Sequence, residues 1–250
     1  MSDKPELSLV MPAYNEEENI CLVIERADDV ARQMGLRYEL IVVDDGSFDN
    51  TRAKIEDCAK NNGHVKVAGY INNVGKGFAV RTGFSHAVGD FVVFMDSDAD
   101  IDPKQVACYI DALKDADIVV ASKWHPQSKV DTPLIRRILS RGFNVLVKLF
   151  VGLRLTDTQT GLKAVRREPL AGVFPRLIVK RYALDVELLV LANLLDLKIV
   201  ELPINIRLRS LFGLREVWRM FLDLLGITYR LRVIRWYQRA LAQANSSKNC

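Results

Sequence analysis

The 250-residue sequence contains three histidines and four cysteines, and neither type clusters. His64, His86 and His125 stand in unrelated contexts, so no Ser/His/Asp or Cys/His nucleophilic arrangement is legible and they read as surface or packing residues. Cys21, Cys58, Cys108 and Cys250 are far apart, without a CxxC pair or a Cys/His set at zinc spacing. They are expected to be buried or incidental thiols. No apolar run approaches the ~20 residues that span a bilayer. No cationic segment leads into an apolar signal core either, which points to a cytoplasmic protein. The GxxxxGK[ST] spacing of a P-loop is absent, and so are repeats, low-complexity tracts and linkers rich in Gly, Pro or Ser.

What is present is an ordinary globular composition, 49% hydrophobic and 26% charged, with a net charge of +4. In the first half, short apolar runs alternate with helical patterns. Strands are predicted at "LSLVMPAYN", ending at Pro12, and at "YELIVVDD", "VKVAGYI", "DFVVFMD" and "DIVVASKW". Helices are predicted over 16–35, with acidic residues in the first turn and Gly35 after the last, and over "DNTRAKIEDCAKNNG", 75–89 and "DPKQVACYIDALKDA". Fully apolar strands separated by helices indicate a mainly parallel α/β sheet covered on both faces, with ligands bound outside the carboxyl ends of the strands. Polar residues sit at four such ends: Asn15 and Glu16, Asp44 and Asp45, Asn72 and Asn73, and the cluster in "FMDSDADIDP".

That cluster places Asp96, Asp98, Asp100 and Asp102 at alternate positions. In extended backbone the first three share a face, a pattern that suits a hard divalent cation, Mg2+ or Mn2+, completing its shell with substrate phosphates. The alternative is a solvated acidic turn that caps the next helix, and Asp102 before Pro103 fits an N-cap with proline at N1. Lys76, between two glycines at a predicted helix start, can offer a cation and backbone N–H groups to a phosphate. Of Asp44 and Asp45, one is expected to accept hydrogen bonds from a ligand and the other to shape the turn.

The ordered blocks "VMPAYNEEENI", "IVVDDGSFDNT", "NVGKGFAVRTGFSHAVGDFVVFMDSDAD" and "DTQTGLKAVRRE" resemble the family 2 glycosyltransferases, and among them the dolichyl-phosphate mannose and glucose synthases. The resemblance covers roughly residues 7–240 and implies a Rossmann-like GT-A fold. It implies a nucleotide-sugar donor, UDP-glucose or GDP-mannose, lying near Pro12, Tyr14, Glu16, Asp44 or Asp45, Lys76 and Ser97. Asp96 and Asp98 match the DxD metal motif, and Asp100 falls where several relatives carry a glutamine that completes the shell. The acceptor it implies is dolichyl or polyprenyl phosphate. Lys123, Arg136, Arg137, Arg141 and Arg207 or Arg209 are the candidate cations for that phosphate. Asp157, Gln159 and Gly161 fall in the loop expected near donor sugar and acceptor. Asp185 and Glu187 are expected in structural or sugar-positioning roles.

Residues 207–239 carry eight arginines against one glutamate and one aspartate, interleaved with aliphatic and aromatic residues. They read as amphipathic helices that meet a membrane surface or pack on the catalytic domain or a second subunit. The expected division is therefore a catalytic domain over 1–210 and a basic helical extension over 211–250. The expected enzyme is an inverting hexosyltransferase, peripheral at the cytoplasmic membrane face and capable of homo-oligomerisation. Two competing readings are a transferase acting on a hydroxyl acceptor with Asp185 or Asp157 as base, and a non-catalytic nucleotide-sugar-binding subunit. The arginines alternate with aliphatic residues rather than forming an open polar stripe, which argues against nucleic acid.

Overall fold

The computed structural model describes the backbone of residues 4–208 and 213–248. The strands are β1 (Leu7–Ala13), β2 (Tyr38–Asp44), β3 (Val65–Gly69), β4 (Phe91–Phe94), β5 (Ile118–Ser122), β6 (Lys129–Asp131), β7 (Lys163–Arg166), β8 (Ile199–Pro203) and β9 (Asn205–Arg207). The helices are α1 (Ile20–Gln33), α2 (Thr51–Asn61), α3 (Lys76–His86), α4 (Val106–Ala112), α5 (Leu134–Val151), α6 (Arg167–Leu170), α7 (Leu184–Leu194), α8 (Leu214–Thr228) and α9 (Trp236–Lys248).

Seven strands form one sheet in the order β3-β2-β1-β4-β7-β5-β8, and β6 pairs with β9 separately. All pairings in the large sheet are parallel except those of β7, which runs antiparallel between β4 and β5. Every residue of β1 and β2 is buried, because helices cover both faces. Side chains alternate between two cores: Val10, Ile41 and Val43 face one, whereas Leu9, Met11, Leu40 and Val42 face the other. α1 adds Ile20, Val23, Ile24, Ala27 and Ala31 to the second core at helical spacing. α8 and α9 add Met220, Leu224, Ile227, Tyr237 and Leu241 to the first, so the helices expected as an extension share the core of the sheet.

One local expectation is corrected. The acidic residues Glu16–Glu18 do not form the first turn of α1; they lie in a turn before it, where backbone N–H groups of Glu16 and Glu17 donate to Thr51 and Asp49. Cys21 and Cys58, far apart in sequence, meet on neighbouring helices with sulfurs 3.5 Å apart. Of the two alternatives, buried or incidental, burial does not hold for the described cysteines, since Cys21 and Cys108 are exposed and Cys58 is partly so. Asp102, by contrast, caps as expected and accepts from the Lys104 N–H at 3.0 Å.

Candidate active site

The topology gathers the site. β7 starts where β4 ends, with Lys163 opposite both Phe94 and Val120. The loop before β7, residues 156–161, is thereby set beside the aspartates that follow β4 and the Lys123 that follows β5. Two connected hollows result. A recess of about 160 Å³ is lined by Pro12, Tyr14, Glu16, Asp45 and Ser97. A cavity of about 460 Å³ is lined by Asp100, Lys123, Trp124, Arg136 and Gln159 among others, within the size range of small-molecule sites. Lys76, Asp96, Asp98 and Tyr182 border both.

At that border Lys76 pairs with Asp96 at 2.5 Å. Burial disfavours its ammonium, but Asp96 and Asp185 outweigh that cost and hold it above its usual range. Burial, then the charges of Asp96 and Asp100, push the Asp98 carboxyl up to about 6. Its Oδ1 accepts from the Asp100 N–H at 3.1 Å. A carboxylate so disfavoured, in a ligand-sized cavity, suits a cation of the kind that takes hard oxygen ligands. Among the described residues, no three His, Cys, Asp or Glu side chains form a group able to hold a metal ion alone. Asp96, Asp98 and Asp100 are thus not preassembled as a set of three, and a cation there needs oxygens from the ligand as well.

The 156–161 loop is held from beneath. Glu201 on β8 accepts from the Thr156 N–H at 2.8 Å and the Asp157 N–H at 3.0 Å, and Asn144 of α5 donates to the Thr156 carbonyl at 3.0 Å. Asp157 is only 1% exposed and accepts from Lys123 at 2.7 Å and the Thr160 hydroxyl at 2.6 Å. Burial alone would raise its carboxyl, but Lys123 and Thr160 hold it below the usual range. Asp157 lines neither hollow; it fixes the loop from which Gln159, Thr160 and Gly161 line the cavity. Lys123 and Gln159 do reach the cavity. Asp185 pairs with Lys163 at 3.0 Å.

Of the turn pair, Asp45 reaches the recess, although it also accepts from Tyr70, Asn73, Val74 and Gly75. Asp44 lines neither hollow and accepts from the Ser47 N–H, which closes the turn. Arg136 and Arg141 line the cavity; Arg207 is exposed, with its N–H on the Asp100 carbonyl. Arg209 lies outside the described residues.

Tyr182 and Trp124 are not singled out by the sequence, and the partners of Glu187, a residue that is, are set by the fold. Tyr182 borders both hollows, with the Lys76 Nζ 5.9 Å from its ring centroid. Trp124 lies under two guanidinium groups of α5. Glu187 is fully buried and accepts from Ile178 N–H, Val179 N–H and the Tyr237 hydroxyl, tying α7 to α9. No local pattern of residue types announces these roles, since each depends on partners distant in sequence.

A mostly parallel sheet with an acidic cluster at its carboxyl edge and one inserted antiparallel strand is the architecture of a GT-A glycosyltransferase. A structure of glucosyl-3-phosphoglycerate synthase from Mycobacterium tuberculosis with uridine diphosphate matches it with a TM-score of 0.67 and 24% identity, over 90% of this chain and 79% of that one. A complex of that synthase with Mn2+ and UDP-glucose gives a TM-score of 0.68 at 22% identity, over 90% and 78% of the two chains. The pattern of Glycosyl transferase family 2 matches residues 8–174, and the chain belongs to that family. Dolichyl-phosphate beta-glucosyltransferase of Saccharomyces cerevisiae is 33% identical over 220 residues, 80% of this chain and 66% of that protein. Its counterpart in Drosophila melanogaster is 35% identical over 223 residues, 82% and 68% of the two. The chain thus spans about two thirds of the length of these relatives.

Proposed function

We propose that this protein transfers glucose, with inversion, from UDP-glucose to dolichyl phosphate or a similar polyprenyl phosphate. The observation that carries this reading is the shared border of Lys76, Asp96, Asp98 and Tyr182, which joins a recess at the strand ends to a cavity rich in cations. The recess suits a nucleotide, with Pro12, Tyr14 and Glu16 on its walls, and the cavity suits an anionic acceptor. The names of the relatives favour glucose over mannose and a β product, which an α-linked donor gives by inversion.

A divalent cation, Mg2+ or Mn2+, held by Asp96 and Asp98 would supply Lewis-acid neutralisation of the charge on the departing nucleoside diphosphate. Lys76 sits against Asp96 on the same border, where its ammonium can meet a phosphate oxygen. A phosphate acceptor is already anionic at neutral pH and needs no strong base. The two acids weighed as bases are both engaged: Asp157 is locked to Lys123, and Asp185 faces Lys163. The hydroxyl-acceptor reading requires one of these acids to be available, so the geometry favours the phosphate. Arg136, half-buried and facing the three aspartates across the cavity, is assigned to the acceptor phosphate.

We also place the protein at a membrane surface through α5 and α8. Among the described residues no helix is long and apolar enough to cross a membrane. Yet α5 exposes Leu134, Ile135 and Ile138 at 71%, 63% and 60%, and α8 exposes Trp218 and Leu222. Basic residues of the same segments flank these apolar groups, as in interfacial helices.

The test is transfer of radiolabel from UDP-glucose, with GDP-mannose in parallel, to dolichyl phosphate in the presence of Mg2+ or Mn2+. Label in the lipid from UDP-glucose supports the proposal. Label only in a sugar or protein hydroxyl overturns the acceptor assignment.

A further inference from the structure

Among the described residues, three that line the larger cavity each carry a buried polar atom without a hydrogen-bond partner: Trp124 at its indole Nε1, Thr132 at Oγ1 and Gln159 at Nε2. Buried polar atoms are nearly always paired, so three orphans on residues that line one cavity point to a partner that arrives with a ligand, met after a small turn of each side chain. Two of the three, the indole N–H and the amide NH2, can only donate, and the hydroxyl can donate as well. A sugar hydroxyl is both donor and acceptor, so it matches such a set poorly. A group made only of acceptor oxygens matches it well. The same cavity carries Lys123, Arg136, Arg137 and Arg141 as well as Asp96, Asp98 and Asp100, and Arg137 and Arg141 lie against Trp124, so an anionic group is matched on that side of it.

Trp124 is placed to act twice. Its backbone N–H donates to the Ser122 hydroxyl at 3.2 Å, which fixes it at the end of β5. Its ring lies 4.5 Å from the Arg141 guanidinium carbon and 5.7 Å from that of Arg137. These arginines are one helical turn apart on α5, so the indole face aligns that turn by cation–π attraction while its N–H stays buried beside the cavity without a partner.

We propose that Trp124 is a positioning residue for a phosphomonoester, which its indole N–H binds together with the Thr132 hydroxyl and the Gln159 amide. This rests on the acceptor reading above and assigns to the acceptor phosphate a set of neutral donors in addition to the cations.

Trp124→Phe keeps an aromatic face for the arginines and removes the N–H together with one ring of the indole. Kinetics of the metal-loaded full chain are measured with a short-chain prenyl phosphate and UDP-glucose. Because a hydrogen bond to a charged group is lost, the KM for the prenyl phosphate is expected to rise roughly tenfold, with kcat and the donor KM within about twofold of wild type. Trp124→Phe combined with Thr132→Val raises the acceptor KM further. An unchanged acceptor KM in Trp124→Phe, or a matching rise in the donor KM, overturns the proposal.

If the wild-type protein glucosylates no prenyl phosphate, the functional reading fails and binding alone decides. Equilibrium dialysis then compares the prenyl phosphate and inorganic phosphate on both proteins. Weakening of either probe by roughly tenfold in Trp124→Phe supports the site, and inorganic phosphate shows whether the head group alone suffices. Equal binding of both probes to the two proteins, or no binding to the wild type, overturns it.

Discussion

Gly161 lies against Asp96 so closely that a Cβ on the glycine would stand 2.0 Å from the Asp96 Oδ2. Only a residue without a side chain lets the loop before β7 cover the aspartate that follows β4. Gly161→Ala must therefore displace Asp96 or lift the loop, either of which moves the border of the two hollows. A displacement near 1 Å at reacting groups costs about 10²-fold in rate, so transfer activity is expected to fall by that order. Circular dichroism and the unfolding midpoint should change little, and retention of full activity would show that the contact is not needed.

Asp98 stands in a pocket that disfavours its charge, so removing that charge has opposite effects on activity and stability. Asp98→Asn is expected to abolish metal-dependent transfer. Without metal, it is expected to unfold at higher urea than wild type, because burial and the repulsion from Asp96 and Asp100 are relieved. Paired urea titrations in EDTA check this, and a destabilised variant would contradict it.

The Asp157–Lys123 pair gives a pH dependence. The folded state holds the Asp157 carboxyl below its unfolded value, so its contribution is complete above about pH 4 and is lost as pH falls through the folded pKa. Asp157→Asn leaves Lys123 buried without its counter-ion, which is expected to cost about 3 kcal/mol at pH 7. The difference from wild type should narrow below about pH 4. Denaturant curves at pH 7 and pH 3 measure it, and a constant difference would refute the assignment.

Tyr237 donates to Glu187 at 2.5 Å and accepts from the Arg230 Nε at 2.8 Å, so one hydroxyl joins α9 to α7. Tyr237→Phe leaves a buried carboxylate with one donor fewer and is expected to cost about 1–3 kcal/mol. Limited proteolysis should then cut first in the C-terminal helices, before the sheet is attacked.

The exposed apolar face of α5 allows a separation of membrane contact from folding. Ile135→Glu with Ile138→Glu replaces two exposed side chains, so stability should change by less than about 1 kcal/mol. Flotation with anionic vesicles should fall sharply, whereas transfer to a short-chain soluble acceptor persists. Unchanged flotation would move the contact elsewhere.

The alternation of apolar strands with helices was legible because burial on both faces leaves strands such as β1 without polar positions. The acidic cluster was legible for the converse reason, since carboxylates directly after a buried strand need a partner or water. Asp102 could be separated from its neighbours because an N-cap is a local device that uses the next two residues. Spacing along the chain, however, says nothing about partners across it. Only the tertiary structure decided that Asp157 locks Lys123, that Glu201 and Asn144 support the loop above them, and that Cys21 meets Cys58. The antiparallel entry of β7 decided most of all, because it places Gly161 on Asp96 and forms the border of the site. The sequence by itself determined which residues carry charge at the strand ends. Which of them face a ligand and which neutralise one another depended on burial and distance, quantities that exist only once the sheet has assembled.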